Sequence, residues 1–337
     1  MRKNTMRFPV ILIVVGLVLM IYALFQTKFD VSALAAAECE MKTQTVSQPF
    51  DRISANTADL NVILSLAPDG VCVVEYPEGE TVHVTVKTEN GALVVSQDAF
   101  AKFPFNILPI VPRFPKVEIR LPEREYASLA AKTGNGDVSV PSDFCFQSVE
   151  IRTKSGNLSF SASAEQTRLW ATSGNISVCG GSVGAAEAES TSGNILFENV
   201  RAASLYSHST SGKTLFSSVE CGGALDASAT SGTVELSGVT CGALSANTSS
   251  GRVRAENTVC ASHLSAATTS GDIRLADCDA QTISVKSTSG DVDARILTPK
   301  RVRWKTASGS VSVPDDADGG QMNVTTTSGS IRVSFGQ

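Results

Sequence analysis

One short motif recurs at a nearly constant interval through the C-terminal part of the sequence. Each copy reads Thr-Ser-Gly or a close variant, followed by a polar residue and an alternating apolar pair. The repeat glycines are Gly136, Gly156, Gly174, Gly193, Gly212, Gly232, Gly251, Gly271, Gly290, Gly309 and Gly329. Intervals of 18 to 20 residues, kept over about 200 residues, are typical of a solenoid in which each repeat forms one turn of a coil.

Each repeat contains two runs in which apolar and polar residues alternate. One run follows the glycine, as at Ile176 and Val178, and the other precedes the next glycine, as at Leu244 and Ala246. Such alternation is the pattern of a strand with one buried face. A third and looser apolar side is expected around Val219, Val239 and Val259.

A single repeat of this length cannot bury its apolar side chains, but stacked repeats can, because each strand then pairs with its counterparts above and below. The sequence therefore predicts an all-β fold, a right-handed parallel β-helix with about 11 regular coils of 19–20 residues. Eleven rungs at about 4.8 Å each give a rod about 50 Å long. The glycine is expected at a corner, where the chain needs either a positive φ or close contact with its neighbours. The Ser and Thr beside it are expected to bond the turn backbone and their stacked equivalents.

The first residues indicate the compartment. Arg2, Lys3 and Arg7 precede an uncharged apolar run over residues 8-25, which is just long enough to cross a bilayer as one helix. The positive flank favours a single-pass signal anchor, with residues 1-7 in the cytoplasm and the C-terminal domain extracytoplasmic. The alternative is a cleaved signal peptide, whose apolar core is usually shorter.

Three further segments follow the predicted transmembrane helix. Residues 26-45 have little pattern and are expected to be a linker. Residues 46-128 contain strand-like runs separated by turn residues, and are predicted to form an irregular β region with hairpins. Within that region, a loop rich in Pro and Phe at residues 100–115 either packs over an edge of the sheet, which we favour, or inserts into the membrane surface. Residues 129-337 form the regular repeat domain.

Three cysteines, Cys221, Cys241 and Cys260, each lie nine residues after a repeat glycine. In a solenoid they stack on successive rungs about 4.8 Å apart. We favour a ladder of buried thiols, and disulfides between rungs are the alternative, since an extracytoplasmic location permits them. No metal site is predicted, because the sequence has no Cys-x-x-Cys pair and only three histidines.

No cofactor or catalytic site is predicted either. The net charge is −5 and the basic residues are dispersed, which argues against nucleic-acid binding. No serine occupies a Gly-x-Ser-x-Gly elbow. The outward face of the second strand is small and mostly uncharged, and is either a plain wall of the rod or a low-relief surface for a glycan or protein partner. Its residues are Asp226, Ser228, Ser245, Asn247, Ser265, Ala267 and Ser284.

The C-terminal end carries a basic stripe and an incomplete coil. The stripe contains Lys300, Arg301, Arg303 and Lys305, and could contact an anionic polymer or lipid. The last coil stops half complete at residues 335–337. Such an open rung could recruit a partner by strand addition, or could be blunted by a charge on the edge.

Several repeats carry a Gly-Asp turn, as at Gly136-Asp137, Gly271-Asp272 and Gly290-Asp291. With the repeat of roughly 20 residues, and with the opening stretch from Phe50-Asp51-Arg52-Ile53 to Leu121-Pro122, these turns make the chain resemble the bacterial domain-of-unknown-function 4097 family, whose members are described as adhesins. The resemblance covers nearly everything after the apolar segment and implies the repeat fold. Most repeats here depart from the pattern by replacing the Asp with Asn, Lys, Thr, Arg or Ser.

These observations together predict a membrane-anchored, extracytoplasmic and non-catalytic β-solenoid that acts in surface interaction, as an adhesin or an envelope scaffold. Its expected contacts are the lipid bilayer through residues 8-25 and a glycan or protein on the solenoid surface. The alternative is the ectodomain of an envelope-stress sensing or regulatory complex. That role needs a membrane partner, because residues 1-7 are too short to signal alone. A carbohydrate-active enzyme is the least favoured class.

Overall fold

Parallel strands stacked in register build most of the described chain. The computed structural model describes Gly16, Tyr22 and residues 39–79, 82–97, 115–315 and 318–336. Its described strands form one continuous sheet wound into a β-solenoid of about ten turns. The all-β solenoid predicted from the repeat period is therefore confirmed.

The N-terminal region contributes seven strands, which include the antiparallel pairs of the fold. They are β1 (Glu40–Val46), β2 (Arg52–Asn56), β3 (Asn61–Leu66), β4 (Cys72–Glu78), β5 (Val84–Glu89), β6 (Ala92–Gln97) and β7 (Lys116–Leu121).

The repeats then alternate long and short strands. The long ones are β8 (Glu125–Thr133), β10 (Cys145–Thr153), β12 (Ser163–Ala171), β14 (Ser182–Ser190) and β16 (Arg201–Ser209). The short ones are β9 (Val138–Val140), β11 (Leu158–Phe160), β13 (Ile176–Cys179) and β15 (Ile195–Glu198).

The next three repeats have strands that continue around a bend, and the last repeats return to shorter ones. The continuous strands are β17 (Thr214–Ala229), β18 (Val234–Thr248) and β19 (Val253–Ser270). The remaining strands are β20 (Ile273–Cys278), β21 (Thr282–Ser289), β22 (Val292–Ile296), β23 (Lys300–Lys305), β24 (Val311–Ser312), β25 (Gly320–Thr325) and β26 (Ile331–Phe335).

The repeat glycines lie where successive rungs touch backbone to backbone. A Cβ placed on Gly232 would lie 1.7 Å from the carbonyl oxygen of Gly212, and one on Gly251 would lie 1.7 Å from that of Gly232. The repeat glycines from Gly136 to Gly290 have no left-handed φ. Of the two reasons that the sequence offered for glycine, close contact is therefore the one that applies at these rungs.

At most rungs a buried hydroxyl lies three residues before the glycine and helps to close the corner, whereas Ala171 and Ala229 occupy this position before Gly174 and Gly232. Ser190 Oγ accepts a hydrogen bond from the Gly193 N–H at 2.9 Å and donates one to the Gly174 carbonyl at 3.2 Å. The exposed Thr191 and Ser192 of the motif itself bond to the rung below through their backbone N–H groups. The expectation that the Thr-Ser pair closes the corner therefore placed the hydroxyl at the wrong position of the repeat.

A second corner is held by residues in the left-handed conformation. They lie six residues after the repeat glycine and are Gly180, Asn199, Ser218, Gly238, Asn257 and Asp277, with φ between 49° and 73°. Two of these six are glycines, so glycine spacing does not mark this corner. Asn and Asp adopt this conformation more readily than most other residues that carry a Cβ.

The third apolar side differs from the prediction at one rung. Thr258 pairs opposite Val239 and is fully buried, whereas Val259 faces outward and is 42% exposed. The reason is that the inward position lies seven residues after the repeat glycine, and Val259 lies eight after Gly251.

Antiparallel strands cover the N-terminal end of the solenoid. Strands β6 and β7 form the rung below β2 and β3, and β5 and β4 pair with them on the outside. Strand β1 then pairs with β4. Hairpin β5–β6 turns at Asn90 and Gly91, both with positive φ. The predicted loop at residues 100–115 lies outside the described residues except for Pro115.

At the other end, the stacking order departs from the chain order. Strands β25 and β26 lie between β21–β22 on one side and β23–β24 on the other. The insertion depends on Gly319 and Gly320, because a Cβ on either would lie 2.3 Å from a carbonyl oxygen of a neighbouring rung. The expectation of an open rung at residues 335–337 is therefore wrong, since the terminal rung is formed by β23 and β24.

No helix among the described residues is long and apolar enough to cross a membrane. The predicted signal anchor over residues 8-25 lies outside the described part of the chain, apart from Gly16 and Tyr22.

Substituting Gly232 by Ala tests the backbone contact. The added Cβ would meet the Gly212 carbonyl, and neither backbone can move without breaking the ladder, so we expect the free energy of unfolding to fall by about 3 kcal/mol or more. Denaturant unfolding of the full-length chain measures it. Gly222→Ala is the matched control, since the nearest atom to its Cβ would be 3.9 Å away. Equal midpoints for the two variants would contradict the packing argument.

Candidate functional site

The long strands form one flat wall of the solenoid on which outward side chains align in columns. This long-strand wall consists of β8, β10, β12, β14 and β16, continued by the last residues of β17, β18 and β19. Because the strands pair in parallel register, equivalent residues of successive repeats lie about 4.8 Å apart. The register thus decides which outward side chains become neighbours.

Aromatic and charged side chains meet in two adjacent columns of this wall. One column contains Trp170, Glu189, His208 and Ser228, which pair in that order across four rungs. The other contains Arg168, Glu187, Tyr206 and Asp226. We call these eight residues the wall patch.

The two aromatic rings of the wall patch are held differently. The Arg152 guanidinium lies 4.1 Å from the centroid of the Trp170 ring, a cation–π contact that covers part of the indole and holds it in place. Tyr206, two rungs further along the wall, is 38% exposed. A separation of two rungs corresponds to about 10 Å along the solenoid axis.

Three carboxylates surround Tyr206. Partial burial, and then the charges of Glu189, Asp226 and Glu187, raise the pKa of the Tyr206 hydroxyl. Burial also raises the pKa of Asp226, whose carboxylate is only partly solvated. Tyr206 is therefore a protonated hydrogen-bond donor at neutral pH, within an acidic environment.

The remaining polar groups of the wall patch are partly engaged. Arg168 and Glu187 form an ion pair with a nitrogen–oxygen distance of 3.5 Å. His208 Nδ1 lies 3.0 Å from Ser228 Oγ. The wall patch thus combines two aromatic rings with hydrogen-bond donors and acceptors on an open surface.

Part of this wall is predicted by the sequence. Asp226, Ser228 and the smaller residues of the following rungs lie on one face, as the alternation predicts. The alternation does not single out Trp170 and Tyr206, which lie four and six residues before their repeat glycines. Alignment of those two positions over all the repeats would have revealed both columns.

A shallow groove of about 700 Å³ lies elsewhere, over the glycine-rich bends between β14 and β19. Glu220 supplies a carboxylate to its lining, and that carboxylate is paired to Arg201 at 3.0 Å with both side chains mostly exposed. Gly222 and Gly242 give the groove a smooth floor of backbone. The groove therefore offers shape rather than reactive groups.

Two of the three stacked cysteines, Cys221 and Cys241, line that groove. Cys221 pairs opposite Cys241, and Cys241 opposite Cys260, so the residues stack on successive rungs. The Sγ atoms of Cys241 and Cys260 lie 3.2 Å apart, and all three residues are buried free thiols. The hydrogen bond with Cys241 and burial together raise the pKa of Cys260. Within the described ranges, no three His, Cys, Asp or Glu residues are grouped to hold a metal ion.

The sequence of the chain matches a known protein family. A family model described as Toastrack DUF4097 matches residues 51–241 and again residues 224–337. No curated protein matches the chain in sequence.

Solved structures resemble the chain only distantly. A putative adhesin from Bacteroides fragilis is 14% identical, with 88% of this chain and 97% of that chain covered and a TM-score of 0.33. A putative adhesin from Parabacteroides distasonis is also 14% identical, with 86% and 98% covered and a TM-score of 0.41. A putative lipid binding protein from the same species is 11% identical, with 87% and 98% covered and a TM-score of 0.36. At these values the likenesses carry no argument about what this chain binds.

The buried thiols make the free energy of unfolding depend on pH in the alkaline range. Burial raises the pKa of Cys72 and of Cys278 from 9.0 to about 11, so the unfolded chain ionises first as the pH rises. The unfolded state then binds fewer protons, and the free energy of unfolding falls between pH 9 and about 11. For one thiol the limiting slope is about 1.4 kcal/mol per pH unit.

Urea unfolding at several pH values measures this slope. We expect Cys278→Ala to make it shallower, whereas Cys39→Ala, at an exposed position, should leave it unchanged. Identical slopes for the wild type and Cys278→Ala would show that this thiol does not ionise on unfolding.

Proposed function

The chain belongs to the Toastrack DUF4097 family, and from this premise we propose that it is a membrane-anchored, extracytoplasmic and non-catalytic protein that binds a surface glycan through its long-strand wall. The observation that carries this proposal is the wall patch. There, Trp170 and Tyr206 stand among carboxylates on a surface that the glycine stack makes rigid.

The chemistry of the wall patch suits a sugar ring. Aromatic side chains offer an apolar face together with a polar edge, which matches the alternating CH faces and hydroxyl groups of a saccharide. Glu189, Asp226 and the Tyr206 hydroxyl supply acceptors and a donor at fixed positions beside the rings. Because Arg152 already holds Trp170, little side-chain entropy is lost when a ligand binds.

The same geometry favours binding over catalysis. Glycoside hydrolysis typically uses two carboxyl groups that flank the scissile bond and a water molecule that attacks the sugar. The carboxylates of the wall patch project from one flat wall, so they approach a ligand from a single side. In the groove, Glu220 is neutralised by Arg201. These features support a role in recognition and oppose one in hydrolysis.

The topology of the proposal rests on the sequence. Residues 1-7 lie in the cytoplasm and residues 8-25 cross the bilayer. The linker predicted over residues 26-45 ends earlier than expected, because β1 begins at Glu40, at the covered end of the solenoid. This arrangement directs the end formed by β23 and β24 away from the membrane. No cofactor is required for the proposed role.

Removing the indole tests the wall patch. We expect Trp170→Ala to weaken binding of the full-length chain, in detergent, to immobilised bacterial surface glycans at least about tenfold, or about 1.4 kcal/mol. Asn247→Ala, at a small outward position of the same wall, should bind as the wild type does. Equal melting temperatures of the two variants exclude misfolding. Unchanged binding by Trp170→Ala, or no glycan binding by the wild type, would refute the proposal.

Protease treatment of intact cells tests the topology. The cells are first treated so that the protease can reach the outer face of the membrane that holds the protein. If the repeat domain lies outside that membrane, an epitope tag after residue 337 should be lost while a tag before residue 1 is retained. Lysed cells, in which both tags should be digested, are the control. Retention of the C-terminal tag on accessible cells would show that the predicted orientation is wrong.

A further inference from the structure

The rung formed by β23 and β24 ends the solenoid, at a place separate from the wall patch. Strand β23 pairs with β25, and β24 with β26, and no other described strand pairs with either. The opposite end differs, because antiparallel strands β5, β4 and β1 cover it. The outer edge of β23 is therefore unpaired among the described strands, and such an edge is a template for another extended chain.

Core side chains are exposed at this edge. Val302 pairs opposite Met322 and Trp304 opposite Val324, so both lie on the inward-facing side of the strand. Met322 and Val324 are at most 1% exposed, whereas Trp304 is 50% exposed. An indole at a core position is thus left half covered for lack of a further rung.

The backbone N–H and C=O groups of β23 point alternately toward β25 and toward the open edge. The Lys305 carbonyl accepts a hydrogen bond from the Thr326 N–H at 2.9 Å, so the backbone groups of Lys305 face β25. Because N–H and C=O groups alternate sides along a strand, those of Arg303 also face β25, and those of Val302 and Trp304 face the open edge. The free donors and acceptors are thus adjacent to the exposed apolar side chains.

The outward side chains of the same strand are cationic. Arg301, Arg303 and Lys305 are exposed and form no ion pair with any described residue. Their neighbours on the next rung, Gln321, Asn323 and Thr325, are uncharged. Lys300 differs, because it is buried and its Nζ lies 2.8 Å from an Asp279 oxygen. The edge therefore carries three unneutralised positive charges at alternate positions.

We propose that the edge of β23 binds an extended segment of another protein in which acidic and apolar residues alternate. In the added strand, apolar side chains cover Val302 and Trp304, and carboxylates lie opposite Arg301, Arg303 and Lys305. Backbone hydrogen bonds to β23 supply affinity, and the alternation supplies specificity. Only a polypeptide satisfies both the alternating backbone groups and the alternating side chains.

A second copy of this chain does not fit. Two β23 edges would bring like charges together, which disfavours self-pairing. The described edge strands at the other end, β1 and β5, read Glu-Met-Lys-Thr-Gln-Thr-Val and Val-Thr-Val-Lys-Thr-Glu, and neither alternates acidic and apolar residues. The occupant is therefore a different protein with an acidic strand.

The test uses the full-length chain in detergent and a fluorescein-labelled peptide of nine residues that alternates glutamate and valine. The control peptide has the same composition, with its glutamates grouped at one end. We expect the alternating peptide to bind, as measured by fluorescence anisotropy, at least tenfold more tightly than the control. A Trp170→Phe background leaves Trp304 as the single tryptophan, whose emission should shift to shorter wavelength as the peptide covers it.

Two pairs of variants separate strand addition from simple charge attraction. Val302→Pro removes an N–H at the open edge, and should weaken binding at least tenfold, whereas Val302→Ala, which keeps the N–H, should bind more tightly than the proline variant. Arg303→Glu should weaken binding at least tenfold, whereas Arg332→Glu, with the same charge change on β26, should not. Thermal melting checks that each variant is folded.

Three results would overturn the proposal. They are equal binding of the two peptides, unchanged binding by Val302→Pro, and no binding by the wild-type chain. Self-association that Val302→Pro abolishes would also overturn it, by showing that a second copy occupies the edge. Trp170→Ala should retain peptide binding, so this experiment and the glycan experiment fail independently.

Discussion

The contact between one repeat glycine and the carbonyl oxygen of the repeat below is the constraint on which the structure depends. At Gly174 and Gly232 a Cβ would lie 1.7 Å from that oxygen, a distance that no side chain tolerates. The contact brings rungs together at the spacing that parallel strand pairing requires. At the rungs that carry one, a buried hydroxyl such as that of Ser190 accepts a hydrogen bond from the glycine N–H of its own corner and donates one to the glycine C=O of the neighbouring corner.

Strict register has a functional consequence, because it turns sequence positions into surface columns. Glu189 is 19 residues from both Trp170 and His208 in the chain and lies directly between them on the wall. The same register buries Phe197 against Phe216, whose ring centroids are 5.1 Å apart. A rigid rod can therefore display a fixed group of side chains without a cleft, and this suits recognition of an extended partner better than catalysis.

The two ends of the rod differ in how their terminal strands are paired. At the N-terminal end, antiparallel strands pair with the first rung and cover its backbone. At the other end, the chain passes over one rung, forms β23 and β24, and returns to fill the gap with β25 and β26. The exposed Trp304 and the charges beside it are the outcome of that order, and they make the two ends chemically distinct.

Much of the fold could be predicted from the sequence, because the forces that define one coil act within about 20 residues. Glycine spacing and apolar alternation specified the solenoid, the corner and the inward residues such as Ile176 and Leu244. They could not specify the order of the last rungs, because every rung presents the same corner and the same alternation to its neighbours. Nor did they reveal the wall patch or the exposure of Trp304. Those features depend on which rungs meet and which rung is last, and only the tertiary structure decides both.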